Sequence, residues 1–292
     1  MEKKPRSLGT HNGTFHADEV SACALLLLFD LIDRAHIIRT RNQDLLNCCE
    51  FVCDVGGRYD PSSKRFDHHQ ADYFGSLSSA GMVLRYLLES GKIDEAVYDA
   101  FNHALIMGVD AHDNGIDPLI DGVCTFSQVI ANFTPIHYDA TPKEQDSAFG
   151  LALDFVLSHL QRFWGRYRYV LSCKEMVKEA MDKGVHYLFF EKAIPWLDLF
   201  FEMGGEDHPA SFIVMPAGDQ WKLRAIPPTY QQRMGVRVPL PQEWAGLLEE
   251  ELRQVSGIAG AVFCHKGRFT SVWKSKADAL KALAYVLKKE RF

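Results

Sequence analysis

The architecture this sequence predicts is an α/β protein of two domains, and three observations carry it. Its 292 residues lie near the length of two average domains. Through Pro135, short β-prone apolar runs alternate with helical patterns, the mark of βαβ units and a mostly parallel sheet. From Val185 onward the alternation resumes after a long helical stretch. The expected division is an N-terminal parallel-sheet domain over residues 1–145, a connecting helical segment over 146–184, and a smaller C-terminal α/β domain with a mixed sheet over 185–292.

Taken in order, Ser7 to Thr10 reads as the first strand and runs into the polar turn His11 to Phe15. A helical pattern follows from about Asp18 to Arg34, and His36 to Arg39 is short and β-prone. Phe51 to Val55 is an apolar strand carrying Asp54, with Gly56-Gly57 behind it. Ser78-Ser79 reads as an N-cap before the helical spacing of Ala80 to Leu88, and Ile93 to Val109 is a further helix. Thr134 to Asp146, with two prolines, reads as a loop. The long helical pattern from Ser147 to Lys183 sets Leu153, Val156, Leu157, Leu160 and Phe163 among its apolar positions and stops at Gly184. The last part offers strands at Tyr187–Phe190, Ser211–Met215, Trp221–Ile226, Ala261–His265 and Phe269–Trp273. Its helices are expected at Gln242–Val255, entered through the Pro-rich PLPQEW, and at Lys276–Lys289.

Composition narrows the class. With 47% apolar and 24% charged residues the chain can bury a sizeable core, which excludes a disordered tail, a collagen-like rod and a small disulfide scaffold. The longest continuous apolar run, Ala22 to Phe29, is far short of the roughly 20 residues a membrane span needs, so no membrane partner is expected. The opening MEKKPRSLGT has basic residues with no apolar stretch after them and does not read as a secretory leader. Seven cysteines, three of them at Cys48, Cys49 and Cys53, show no CxxC zinc spacing; reduced thiols in a cytoplasmic protein are the expectation. A net charge of −6 argues against a general nucleic-acid coater. Two basic stretches stand out locally: Gln161–Tyr169, with three arginines among four aromatics, and Lys266–Phe292, with eight Lys/Arg including Arg291. Solvated helix faces are the plain reading of both.

The chemistry-bearing residues fall in four patches. These are His11-Asn-Gly-Thr-Phe-His16-Ala-Asp18, then Asp54 before two glycines, then Asp67-His68-His69, then Asp110 with His112 and Asp113 behind it. Asp54 sits at the end of an apolar strand, where open parallel sheets bind ligands. Imidazoles and carboxylates without thiolates suit manganese, iron, zinc or magnesium. There are too many for one tetrahedral ion, and two divalent ions sharing a bridging carboxylate would use them all. Each patch alone is weak; their order within the first 110 residues is not.

These patches resemble the DHH phosphoesterase superfamily through Asp67-His68-His69 and the acidic patches before it. Within it, GTHNGTFHADE, VCDVGGRYDP, RFDHHQ, LSSAG and VDAHDNGI, with RVPLPQEW and VSGIAGAVFCH later on, closely resemble the MYG-type exonuclease family. The resemblance runs through nearly the whole chain. It implies a DHH-type N-terminal domain, two divalent ions (Mn2+ first, Mg2+ as the substitute) held between domains, and 3′-to-5′ exonuclease action on RNA. Residue by residue it implies metal ligation by His11, His16, Asp18, Asp54, His68 and Asp110. Asp54 would be the bridging carboxylate, and His69 the phosphate contact, so that Asp54 and His69 are the catalytic pair. Superfamily enzymes more often carry two aspartates in the first motif; His16 in place of one lowers the negative charge of the site. The family's glycine pair after the late His-containing strand is missing from Gly267–Val272. Arg237 and His265 are the substrate-side candidates, with a surface ion pair and a strand-end hydrogen bond as their plain structural alternatives.

The mechanism expected from these residues is hydrolysis by a metal-bridging hydroxide in line with the leaving oxygen. The partner is RNA or a short oligonucleotide, and oligomeric state is left open, with a homodimer as one option. An alternative substrate class is short phosphoesters or pyrophosphate, such as a dinucleotide or nucleoside bisphosphate, favoured by the acidic charge. An alternative of another class is a metal-binding regulatory protein without turnover.

Overall fold

The computed structural model describes residues 3–116 and 120–290. Arg291, counted in the basic stretch above, lies outside the described residues. The chain divides into two compact units, 1–164 and 165–292.

In the first unit, β1 (Lys4–Thr10) leads through the His11–His16 turn into α1 (Ala17–Leu28). β2 (Ile37–Arg39), α2 (Gln43–Asn47) and β3 (Cys49–Cys53) follow, then two short strands, β4 (Tyr59–Asp60) and β5 (Arg65–Phe66). The sheet order is β2-β1-β3-β5-β4, parallel throughout except for the antiparallel edge strand β4. A parallel sheet needs cover on its faces. α1 supplies part of it and is buried from Ala17 to Leu26, which is why its pattern is apolar nearly all round rather than striped. Leu8, Val20, Leu25, Phe51 and Phe66 are among the fully buried core residues.

Next come α3 (Ser79–Glu89), α4 (Glu95–Phe101) and α5 (Met107–Asp113). The single helix expected over Ile93–Val109 is instead α4 and α5 joined by a π-helical turn, Asn102–Ile106. A wider turn of this kind shifts which residues of the next turn face inward, and such bulges recur at functional sites. α6 (Phe126–Ala131) is short. The helix expected from Ser147 to Lys183 is two: α7 (Pro142–Ser172) and α8 (Lys174–Lys183). α7 starts early because Thr141 and Glu144 cap it reciprocally. Glu144 N–H donates to Thr141 Oγ1 at 3.3 Å, and Thr141 N–H donates to Glu144 Oε2 at 2.7 Å, with Pro142 at the first helical position.

The second unit holds β6 (Tyr187–Phe189), α9 (Leu197–Glu202), β7 (Phe212–Ala217), β8 (Gln220–Ala225), α10 (Glu249–Ser256), β9 (Ala261–Cys264), β10 (Thr270–Trp273) and α11 (Lys276–Glu290). Its sheet, β6-β7-β8-β10-β9, is mixed: β6 and β7 are parallel, the remaining pairs antiparallel. β7 shows how both faces are filled. Phe212 and Val214 join a core with Trp244, Trp273 and Val286, while Ile213 and Met215 join one with Val177, Trp196 and Phe200. The helix expected over Gln242–Val255 starts only at Glu249. Trp244 is buried against Trp273 and Tyr285, and Gly246 at φ +78° turns the chain out of helical geometry. Among the described residues no helix is long and apolar enough to cross a membrane.

Candidate metal centre

The C-terminal ends of the parallel strands β1, β3 and β5 converge, and each delivers one chemical patch. His11 follows β1, Asp54 follows β3, and Asp67-His68-His69 follows β5. The first turn of α1 adds Asp18 and Glu19. Asp54 N–H donates to Phe66 O at 2.9 Å, which ties the ends of β3 and β5 together, and Asp54 takes the left-handed conformation at φ +57°. Glu19 accepts the His16 backbone N–H at 2.9–3.0 Å, closing the start of α1.

Three overlapping ligand groups result, each with its candidate ligand atoms within 4.8 Å of one another. They are His11, His16, Glu19 and Asp54; Asp54, His68 and His69; and Asp18, His68 and Asp113. Asp54 and His68 each belong to two of them. His11 Nε2 lies 3.0 Å from both Asp54 Oδ2 and Glu19 Oε1. His68 Nε2 lies 3.0 Å from Asp113 Oδ2 and 3.5 Å from Asp54 Oδ1, without the alignment of a hydrogen bond. His69, 64% exposed, points Nδ1 at Asp67 Oδ1 (2.8 Å), 3.3 Å from Asp54 Oδ1. Asp67 also accepts Gly57 N–H at 2.5 Å and His69 N–H at 3.1 Å, so it fixes both loops beside the cluster.

The electrostatics are those of a cage short of cations. Both Asp18 oxygens, Asp54 Oδ1, His68 Nε2 and Asp113 Oδ2 are buried without a hydrogen-bond partner. Buried carboxylates are costly unless paired or coordinated to a cation. Burial pushes Asp18 well above the usual carboxylate range, and the negative charges of Glu19, Asp54 and Asp113 push it further. Burial opposes the charged form of Asp54 too, but His11 and His68 outweigh it and hold the carboxyl down to about 2. Burial would lower His11, yet its hydrogen bonds to Asp54 and Glu19 raise it to about 10; His68 is raised to about 10 by Asp113 and then Asp54. The imidazoles thus serve as internal counter-charges. All-N,O ligands in such number fit divalent ions of the manganese and magnesium type.

A cavity of about 590 Å³ opens onto this cluster, lined in part by His11, Asn12, Gly13, His16, Asp54 and His69, with Arg41 as its cation.

The structure therefore brings His11, His16, Asp18, Asp54, His68 and His69 together. Asp110, expected as the fourth-motif ligand, is placed otherwise. Its Oδ1 accepts from Ser78 N–H (3.0 Å), Ser78 Oγ–H (2.7 Å) and Gly81 N–H (3.2 Å), capping α3. Asp113, one turn further along α5, stands in the cluster instead. Glu19 and Asp113 are the members that sequence reasoning missed. The available signals were an acid beside Asp18 in the same first helical turn and an acid three residues after Asp110. Arg237 is no surface ion pair: its guanidinium donates to the carbonyls of Gly205, Glu206, His208, Ala210 and Pro227, stitching loops of the second unit together. His265 Nδ1 accepts Gly267 N–H at 2.9 Å, and its ring packs 4.3 Å from that of Phe269 at the β9–β10 hairpin.

Comparison with known proteins bears on the same residues. The MYG1 exonuclease family model, described as an uncharacterised protein family (UPF0160), matches residues 7–286. The MYG1 protein of Chlamydia muridarum is 49% identical over 286 residues, covering 98% of each chain. The human MYG1 exonuclease is 33% identical over 321 aligned positions, covering 94% of this chain and 84% of its own. Among solved structures, RecJ from Thermus thermophilus with Mn2+ aligns over 98% of this chain and 52% of its own, at 12% identity and a TM-score of 0.29; that likeness is too slight to argue from. The family match spans every motif from Gly9 to His265, and the chain belongs to the MYG1 exonuclease family.

Proposed function

We propose that this chain is a divalent-metal-dependent phosphodiesterase that removes nucleotides from the 3′ end of RNA, with two ions held by the overlapping ligand groups. The observation that carries it is Asp18: a fully buried carboxylate whose oxygens have no hydrogen-bond partner, ringed by Glu19, Asp54 and Asp113, with His68 Nε2 3.9 Å from Oδ2. Keeping such a group ionised in the interior is costly, and a bound cation would offset that cost. The nuclease class is supported by the exonuclease name of the human relative; the 3′ direction and RNA come from the family resemblance.

His11, His16, Glu19 and Asp54 would hold one ion, and Asp18, His68 and Asp113 the other, with Asp54 and His68 at their junction. When bound, divalent ions supply Lewis acidity that activates water near neutral pH and offsets phosphoryl charge. The chain's own groups do the rest. Asp67 holds His69 through Nδ1–H; as an imidazolium, His69 would donate Nε2–H to a phosphoryl oxygen or give that proton to the leaving oxygen. Arg41, on the cavity wall, would meet a substrate phosphate. Preset dipoles and charges of this kind provide the largest share of rate enhancement in phosphoryl and acyl transfer.

A short-substrate reading is favoured by one feature: a cavity of about 590 Å³ is of small-ligand size. The test is a 5′-labelled 20-mer RNA, a dinucleotide and pyrophosphate, each with metal-stripped protein and added Mn2+. A ladder shortening from the 3′ end that disappears in Asp18→Asn supports the proposal. Cleavage of the dinucleotide alone moves the assignment to short esters, and no hydrolysis with any divalent metal leaves a binding protein.

A further inference from the structure

The turn that carries His11 and His16 is fixed at its ends, by His11 on Asp54 and Glu19 and by His16 N–H on Glu19, which leaves its apex to be held. Gly13 lies at its apex with φ +88°, and the space a Cβ would fill there is open. What grips it is Arg39, at the end of the edge strand β2. One guanidinium nitrogen donates to Gly13 O at 2.5 Å, and the other to Asp146 Oδ1 at 2.7 Å. Its plane lies 4.7 Å from the Phe149 ring centre and 5.7 Å from that of Phe15. The side chain is 5% exposed and its Nε has no hydrogen-bond partner. An apolar residue would fill this space at lower cost, since a buried charge is poor value for stability alone. A guanidinium does what an apolar residue cannot: it fixes a carbonyl in direction as well as position.

That carbonyl belongs to the segment between two members of one ligand group. The group of His11, His16, Glu19 and Asp54 takes two of its four members from the ends of this turn. The group of Asp18, His68 and Asp113 takes none. Arg39 itself is absent from the cavity lining.

We infer that Arg39 is a positioning residue for one of the two ion sites: it aims the His11–His16 turn, and so sets metal affinity at that group while leaving the Asp18–His68–Asp113 group unaffected. This rests on the two-ion reading above. Asp146 takes part by orienting the guanidinium, which links the first turns of α7 to the metal-binding turn.

The test is Mn2+ binding to the metal-stripped full chain, followed by calorimetry and by the electron paramagnetic resonance signal of free Mn2+. Wild type is expected to show two classes of site. Arg39→Ala should weaken one class by roughly tenfold to a hundredfold, the range for residues that orient ligands without touching metal, and keep the other at its original affinity. Arg39→Lys should restore part of the loss. Asp146→Asn, at a carboxylate 56% exposed and so tolerant of change, should give a smaller loss in the same class and serves if Arg39→Ala misfolds. Equal weakening of both classes would make Arg39 a general structural residue, and unchanged binding in both variants would likewise overturn the inference. A wild-type chain with only one class of site, or none, would instead overturn the two-ion reading beneath it.

Discussion

Removing Asp18 should make the metal-free protein more stable and the metal-loaded protein less so. In Asp18→Ala, two buried, unpartnered oxygens vanish. An unsatisfied buried polar group costs about 1–3 kcal/mol. Against that, an acidic residue in the first turn of α1 gains about 0.3–1 kcal/mol from the helix dipole. The net gain is about 1–2 kcal/mol, or roughly 2–8 °C in Tm at about 2–4 °C per kcal/mol for a domain of this size. Saturating Mn2+ works the other way. At 100 times its Kd a ligand stabilises the folded state by about 2.7 kcal/mol, roughly 5–11 °C, and the variant forfeits most of this with its ligand. The melting curves of wild type and variant should therefore exchange order between EDTA and Mn2+ buffers in scanning calorimetry. The pH dependence has a definite sign. Burial raises the Asp18 carboxyl above its unfolded value, so its contribution to metal-free stability is full below the unfolded carboxylate pKa. That contribution is lost as pH rises through the raised folded value. In EDTA the variant's advantage should grow with pH. A metal-free variant that melts several degrees below wild type, or one that gains as much from Mn2+, would refute the idea that Asp18 awaits a cation.

Other outcomes follow from the same geometry. A Cβ at Gly81 would lie 2.4 and 2.6 Å from the Asp110 carboxylate oxygens, so Gly81→Ala should lower stability by about 1–3 kcal/mol in urea titrations. Asp110→Ala should likewise destabilise by removing the α3 cap, whereas Asp113→Ala should fold normally and lose Mn2+ affinity, a contrast that calorimetry of both variants reads directly. Arg237→Met should destabilise the second unit by about 3 kcal/mol or more, since several carbonyls lose their donor, and circular dichroism during denaturation measures it. In native protein a maleimide should reach Cys124, which is exposed, well before Cys264, whose thiol burial pushes up to about 12, or the buried Cys23 and Cys53; mass spectrometry of labelled peptides gives the order.

How far the sequence could be read depended on whether the determining contacts were local. β3 and α1 announce themselves because burial on all sides leaves only apolar residues beside the ligands. Strands β4 and β5, of two residues each, have no period to detect, although β5 carries the Asp67-His68-His69 patch into place. Asp110 and Asp113 lie on the same helix three residues apart. Which of them meets the cluster depends on the π turn at Asn102–Ile106 and on Ser78 and Gly81, some thirty positions earlier in the chain. Arg237 reads as a substrate-side candidate or a surface ion pair because its acceptors are backbone carbonyls, which have no residue code.

The left-handed backbone at Asp54 sets torsional strain against charge pairing at one residue. Conformations of this kind cost non-glycine residues about 1–3 kcal/mol, least for Asn and Asp. Asp54→Gly would thus relax the peptide chain while deleting the carboxylate, and Asp54→Asn would keep the torsion angles and remove only the charge. Either change leaves His11 and His68 without their shared counter-charge, so directed evolution for heat tolerance in the absence of metal should keep an acid here despite its torsion.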